Sequence, residues 1–319
     1  MKNVFYDEGF YYKGNTHSHT NRSDGHLTPD ELVSVYKRKG YNFLAITEHN
    51  LFTEFTLYDT DDFVLLSGME MTIPAKKGSV QEYHAIVLQG SKKQHAEAKL
   101  PKYIHNQEIA PKASDTQEQL QDTLNDAYLR GYNLILAHPY WSRLEPNQIS
   151  KIRNITGLEV FNNCSDVLEN VGESTVYWDC SLNDGSKLWG FAADDNHNFF
   201  PYGSSGCDSF GAYIIVKAKS LSNEDIIQAI TDGSFYSSCG PEIYEFFVDD
   251  GIVNFQCSPV SRIYLKGHKR QNQNKIVEKG ESLIAEFISP LFGDEMYIRA
   301  ECYDEHGRKA YTNPIWLNG

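Results

Sequence analysis

Short, nearly continuous apolar runs punctuate the chain up to residue 216: Tyr41–Thr47, Phe63–Leu66, His84–Leu88, Leu134–Ala137, Gly157–Phe161, Leu188–Ala192 and Ala212–Val216. Runs of this kind suit strands buried on both faces, as in a parallel sheet or barrel. Helical periodicity appears between several of them. Thr28 stands where an N-cap belongs, Pro29 suits the first helical position, and Asp30 and Glu31 complement the positive end of the helix dipole. Leu32, Val35 and Tyr36 then share a face, and Gly40 follows as a C-terminal stop. A second helix is predicted from about Thr116 to Arg130, with Leu120, Leu124, Ala127 and Tyr128 on one face, and a third from about Asn223 to Thr231. Strands alternating with helices predict an α/β unit. The polar, weakly periodic stretch 90–114 reads as an insertion or long loop, a candidate lid.

After Ser238 the pattern changes. Tyr244–Val248, Ile252–Gln256, Ile263–Leu265, Leu283–Ile288, Met296–Cys302 and Ile315–Leu317 are short and partly alternating, with turn signals at Asp249–Gly251, Lys279–Gly280 and His306–Gly307 and no helical pattern between them. This predicts a small antiparallel β domain of sandwich type. The expected division is therefore 1–238 and 239–319.

Composition narrows the function classes. A chain of 319 residues with 40% hydrophobic and 23% charged residues is globular. Its net charge of −14 argues against a broad nucleic-acid surface, which needs Lys and Arg. It leaves room for an anionic substrate, because bound divalent cations reverse the local field. Residues 1–14 lack the apolar core of a signal peptide, and no run approaches the length of a membrane helix. The six scattered cysteines form no CxxC pair and read as reduced, mostly buried thiols. The expectation is a cytoplasmic protein without nucleic-acid or membrane partners, of unread oligomeric state.

Metal-ligating residue types cluster at or just beyond the apolar runs: His17 and His19 with Asp24, then His49, Glu70, His84, His138, and Asp195 with His197. His17 and His19, like Asp195 and His197, are two apart, so on extended backbone both members face one way. Imidazole suits zinc, iron and manganese, and added carboxylates favour hard divalent ions. Ligands at strand C-termini match the arrangement of barrel enzymes; His84 departs from it by starting its run. Each residue taken alone is an ordinary packed or surface side chain. The joint pattern predicts a site for two or three divalent ions (Zn, Mn or Fe) that activates water. His26, His95, His105, His268 and His306 lack this context, with His26 nearest to it through Asp24. No Gly-x-Ser-x-Gly elbow or Walker loop is present. Gly203–Gly206 is a phosphate cradle or a plain turn, and Arg22 and Arg143 are anion-holding candidates or surface charges.

His17-x-His19 with Ser23-Asp24-Gly25, Thr47-Glu48-His49, Gly68-Met69-Glu70, His84, Ala137-His138-Pro139 and Asp194-Asp195-x-His197 together resemble the ordered motifs of the polymerase-and-histidinol-phosphatase (PHP) superfamily. Glu48 stands where Asp is commoner. The resemblance implies a distorted seven-stranded β/α barrel, TIM-like, with a trinuclear site. It implies one ion on His17, His19, Glu70 and Asp195, a second on Glu70, His84 and His138, and a third on Asp24, His49 and His197. Glu70, Asp195 and His197 are the catalytic positions it implies. Three such ions against three carboxylates leave a formal charge of about +3, suited to a phosphate ester. Asp232–Pro241 and Tyr311–Ile315 are similar to a branch with a short C-terminal β domain that includes carbaryl-hydrolysing esterases.

The expected activity is hydrolysis of a small phosphate ester, with Glu48 or a partner of a ligating histidine assisting proton transfer. Carboxyl-ester or carbamate hydrolysis on the same ions is the alternative, favoured by a dry apolar pocket. A non-enzymatic carbohydrate- or protein-binding role for the β domain is the third reading.

Overall fold

The computed structural model describes residues 1–317 apart from 76, 115 and 279, so Lys279 of the expected Lys279–Gly280 turn lies outside the described residues. The chain is a mixed α/β protein. Phe10–Asn15, Phe43–Ala45 and Val64–Leu66 run parallel to one another. Asn133–Leu136, Gly157–Asn162 and Trp189–Ala193 form a second parallel set. Between the two sets, Gly68–Ile73 and Tyr83–Leu88 pair as an antiparallel hairpin, and Tyr83–Leu88 is also antiparallel to Asn133–Leu136. Phe43, Ile86, Ile135, Phe191 and Ile214 fill one core shared by these strands, which accounts for their near-continuous apolar character.

Among the described residues these strands do not form one continuous ladder, so the distorted seven-stranded barrel expected from sequence is not seen as a closed one. The five strands from Gly68 to Ala193 form one sheet, and the first parallel set belongs to another. Among the described residues the two sheets meet at isolated parallel bridges, His49 to Glu70 and Ser18 to Asn196. Both seams lie beside left-handed backbone, at Asn50 and Asp195, each with φ 53°. Such a conformation turns a side chain inward and cannot continue a ladder.

The predicted helices form close to their sequence signals. Pro29–Arg38 starts with a reciprocal cap between Thr28 and Glu31. Gln117–Leu129 is capped by Thr116, and Asn223–Asp232 ends on left-handed Gly233. The helices Asn163–Glu169 and Thr175–Asn183 are additional to those read from periodicity. Stretch 90–114 holds a short helix at Lys92–Ala96 and a two-residue strand at Gln107–Glu108. Its Tyr103 is buried and stacks on Tyr132 at 5.2 Å.

Beyond residue 238, Ile243–Asp249, Ile252–Val260 and Ile284–Pro290 form an antiparallel sheet with Lys2–Asn3. Ile252–Val260 alternates as its sequence requires, with Val253, Phe255 and Cys257 turned inward. The facing strands Arg262–Gly267, Tyr297–Tyr303 and Lys309–Thr312 extend the same sheet that holds Phe10–Asn15, with Phe235–Ser238 as the link. The sheet thus runs on across 238/239, and Phe5 and Tyr236 share the core of the C-terminal strands. Helix Thr175–Asn183 is fastened to them by a buried ion cluster. Arg299 reaches Asp179 and Glu301, the latter at 2.7 Å, and Lys266 lies 2.8 Å from Asp179. All six cysteines are free, but only Cys257 and Cys302 are fully buried, fewer than expected.

Candidate metal centre

Most of the ligand-type residues arrive from strand ends, whereas Glu70 lies within Gly68–Ile73. His17 and His19 follow Phe10–Asn15, and both are fully buried. Ser18 between them faces the other way and donates to the Ala45 carbonyl at 2.6 Å, which ties the segment to the neighbouring strand and fixes the shared orientation of the two rings. Asp24 sits in a turn closed by the Ser23 and Gly25 N–H groups on the Thr20 carbonyl. His138 and Asp195 both adopt positive φ, 28° and 53°, directly after their strands. His84 had broken the strand-end rule by starting its run. Because Tyr83–Leu88 is antiparallel to its neighbours, its first residues lie at the same end as the last residues of the parallel strands.

All nine side chains converge. His17 Nε2 and His19 Nε2 are 3.1 Å apart. Asp195 Oδ1 is 3.1 Å from each, and Glu70 Oε2 is 3.2 and 3.1 Å from them. The other Glu70 oxygen lies 2.7 Å from His84 Nδ1 and 3.1 Å from His138 Nε2. Asp24 Oδ2 stands 3.4 Å from His49 Nε2 and 3.5 Å from His197 Nε2. Two four-residue sets can each surround one ion: His17, His19, Glu70 and Asp195, and His19, Asp24, His49 and His197. His49, Glu70 and His84 make a third, with His49 where His138 was expected, and Cys164, His197 and Asp208 make a fourth.

The donors fit divalent cations. Glu70 Oε2 has three imidazole nitrogens within 3.2 Å but no hydrogen-bond partner, and buried His84 Nε2 also lacks one, with Glu82 Oε1 3.4 Å away. Groups that crowd together without satisfying each other fit a shared cation. The electrostatics agree. Burial works against the Glu70 charge, yet His17 and His84 outweigh it and hold the carboxyl well below its ordinary range. Burial opposes protonation of His84 and His197, but their carboxylate neighbours win and push them up to about 10 and about 9. A field that draws protons onto imidazoles also draws metal ions.

Further polar groups hold several of the rings by their second nitrogen, as ligating histidines require. His17 Nδ1 is 2.7 Å from Glu159, His49 Nδ1 is 3.0 Å from the Thr72 hydroxyl, and His138 Nδ1 is 3.1 Å from that of Ser142. Glu159 is the important residue missed from sequence. Its signal was there: a lone carboxylate inside the apolar run Gly157–Phe161. Asp194, paired in sequence with Asp195, turns away. It accepts from the Tyr36 hydroxyl and the N–H groups of Phe210, Gly211 and Ala212, and burial pushes its carboxyl up to about 7.

Other candidates fall elsewhere. Buried Glu48 accepts from the hydroxyls of Thr20 and Ser23 and does not line the cavity over the cluster. Arg22 bonds Asn106 and lies over the Phe55 ring, while Arg143 lies over Tyr140; neither lines the cavity. Gly203–Gly206 is an exposed turn closed by Ser204 N–H on Pro201. No residue of 90–114 lines the cavity. His26 sits at the rim, 4.5 Å from the Phe199 ring. The cavity holds about 280 Å³. Ion-ligand candidates form its floor, Trp141, Leu168 and Phe199 wall it, and none of its lining residues is Lys or Arg.

No family model matches the chain, and no curated protein does. Solved structures do. One is a two-domain protein of Bacteroides vulgatus described as containing a predicted PHP-like metal-dependent phosphoesterase, at 14% identity and TM-score 0.48 over 94% of this chain and 92% of that one. Another, from Bifidobacterium adolescentis, is described as a candidate metal-dependent phosphoesterase, at 15% identity and TM-score 0.39 over 70% and 96%. A third is an amidohydrolase from Chromobacterium violaceum with bound sulfate and no metal, at 15% identity and TM-score 0.38 over 58% and 87%. None of the three is described as a carbaryl-hydrolysing esterase.

Proposed function

We propose that the chain is a metal-dependent hydrolase of phosphate esters, with up to three divalent ions held by His17, His19, Asp24, His49, Glu70, His84, His138, Asp195 and His197. The observation that carries this reading is the Glu70 carboxylate, whose two oxygens face different imidazole groups, at 2.7 to 3.2 Å, from a fully buried position. Bound there, divalent ions supply Lewis acidity toward water and offset charge on phosphate oxygens. The chain's own contribution is geometric. Glu70 would be shared between ion positions, Asp195 would join the His17–His19 pair, and Asp24 would complete the outer group with His49 and His197. In this reading the trinuclear arrangement and the roles of Glu70, Asp195 and His197 nearest the reacting atoms go together.

Absence of any Lys or Arg from the lining leaves ions as the phosphate-binding charge. Arg22 and Arg143 serve a substrate only by moving. The same absence, with the apolar walls, favours a second reading, hydrolysis of carboxyl esters or carbamates on the same ions. Purified protein supplied with Mn, Zn or Fe and given p-nitrophenyl phosphate, bis-p-nitrophenyl phosphate and p-nitrophenyl acetate separates the two. Turnover of the phosphates is expected, and turnover of the acetate alone replaces the first reading with the second.

A further inference from the structure

Resting on the hydrolase reading above, we infer that the ester accepted here carries an apolar, uncharged alcohol as its leaving group, held between Trp141 and Phe199. The two rings stand beside different parts of the cluster. Trp141 is centred 4.9 Å from the His138 ring and 5.6 Å from His84. Phe199 lies parallel to His197 at 5.7 Å. Leu168, 44% exposed at the end of helix Asn163–Glu169, supplies a third apolar wall. The indole N–H, which would be the natural handle for a hydroxyl-rich alcohol, is already given to Glu169 Oε1 at 2.9 Å. Trp141 therefore presents ring surface to a ligand.

Charge argues the same way. Asp24 and Glu169 are the exposed carboxylates of the lining, and no Lys or Arg accompanies them. Away from the histidine cluster, a second anionic group on the alcohol would meet these carboxylates with no Lys or Arg to pair it. The cavity of about 280 Å³ is at the small end for ligand sites, enough for a phosphate and one ring. In the reaction the oxygen of water bonds to phosphorus, the P–O bond to the alcohol breaks, and one proton of water ends on the alcohol oxygen. Benzyl phosphate and water thus give benzyl alcohol and inorganic phosphate.

The test uses the full chain loaded with Mn and substrates whose alcohols have similar acidity: benzyl phosphate, glycerol 1-phosphate and glucose 6-phosphate. Benzyl acetate and glyceryl monoacetate run alongside, so that the preference is read in whichever ester class turns over. The benzyl ester is expected to exceed the polar ones in kcat/KM by about tenfold or more. Calorimetric titration is expected to give benzylphosphonate a similar advantage over methylphosphonate, and the double variant Trp141→Ala, Phe199→Ala should bring both ratios toward one. Equal or reversed ratios in the wild type overturn the leaving-group inference while the hydrolase reading stands. Ratios unchanged in the double variant overturn the assignment to these two rings. No turnover of any ester with ions bound overturns the hydrolase reading and this inference with it.

Discussion

Glu159 Oε1 lies 2.7 Å from His17 Nδ1, in a position where both residues are almost wholly buried. The other Glu159 oxygen accepts the His138 backbone N–H at 2.9 Å and the Asn162 amide at 2.8 Å, and that amide also donates to Asp195 at 3.1 Å. One carboxylate outside the cluster thereby orients three members of it. Glu159→Gln keeps the shape but places an N–H where only acceptors fit. We expect it to weaken ion binding by about 10–100-fold, read by elemental analysis after dialysis, with an unchanged far-ultraviolet circular dichroism spectrum. Wild-type ion content in the variant would contradict the role.

Glu70→Gln should cost more, because it removes the charge shared between ion positions. Ion stoichiometry should fall, and hydrolysis should drop by more than about hundredfold, above the range for outer partners. Stability in the metal-free state should not fall in proportion, since only one of the two oxygens, the one facing His84 and His138, has hydrogen-bond partners.

Chelation provides a test independent of substrate. An ion present at about a hundred times its Kd stabilises the folded chain by about 2.7 kcal/mol. For a protein of this size the midpoint of thermal unfolding should fall by ~4 °C for each ion removed and recover on re-addition. An unchanged midpoint with Mn, Zn and Fe would mean that the nine side chains hold no ion.

The ion cluster at Arg299 should govern stability, not chemistry. Arg299 is fully buried between Asp179 and Glu301, and Arg299→Met leaves two carboxylates with Lys266 alone. Breaking such a cluster costs about 3–5 kcal/mol, measurable by urea unfolding at pH 7. Burial opposes the charge on Asp179 and Glu301, but Arg299 and Lys266 outweigh it and lower both groups from ordinary values of 3.8 and 4.5. Stability gained this way is complete above those ordinary values and is lost as pH falls through the lowered ones. The wild type's advantage over Arg299→Met should therefore hold from pH 7 to 5 and shrink in more acid solution. An advantage independent of pH would exclude the charge interaction.

Much of the fold was legible because its signals are local. Thr28, Pro29 and Glu31 announce a helix start, and the apolar runs announce strands buried on both faces. Register and direction are not local. Nothing in Tyr83–Leu88 says that it runs opposite to Asn133–Leu136, so His84 looked misplaced until its strand was seen reversed. The ladder is interrupted for a related reason: left-handed backbone at Asn50 and Asp195 stands beside the two bridges that join the sheets, and no local signal marks it. Single side chains were hardest. Arg22 follows the first histidine motif closely, yet Asn106, far along the chain, takes its guanidinium. Glu159 carried its clue in plain sight as a charge among Leu158, Val160 and Phe161, but its partner His17 is 142 positions away.

Phe235–Ser238 is hydrogen-bonded to Tyr213–Ala218 on one margin and to Lys309–Thr312 on the other. Residues 239–319 are therefore stitched to the rest of the chain through this strand. Cutting after residue 238 would bare a row of unmatched amides and carbonyls along one whole selvedge of the molecule and strip the cover from Tyr236 and Phe5. Such a raw border invites association between molecules, so residues 239–319 hem an edge that the histidine cluster's own part of the chain would otherwise leave open.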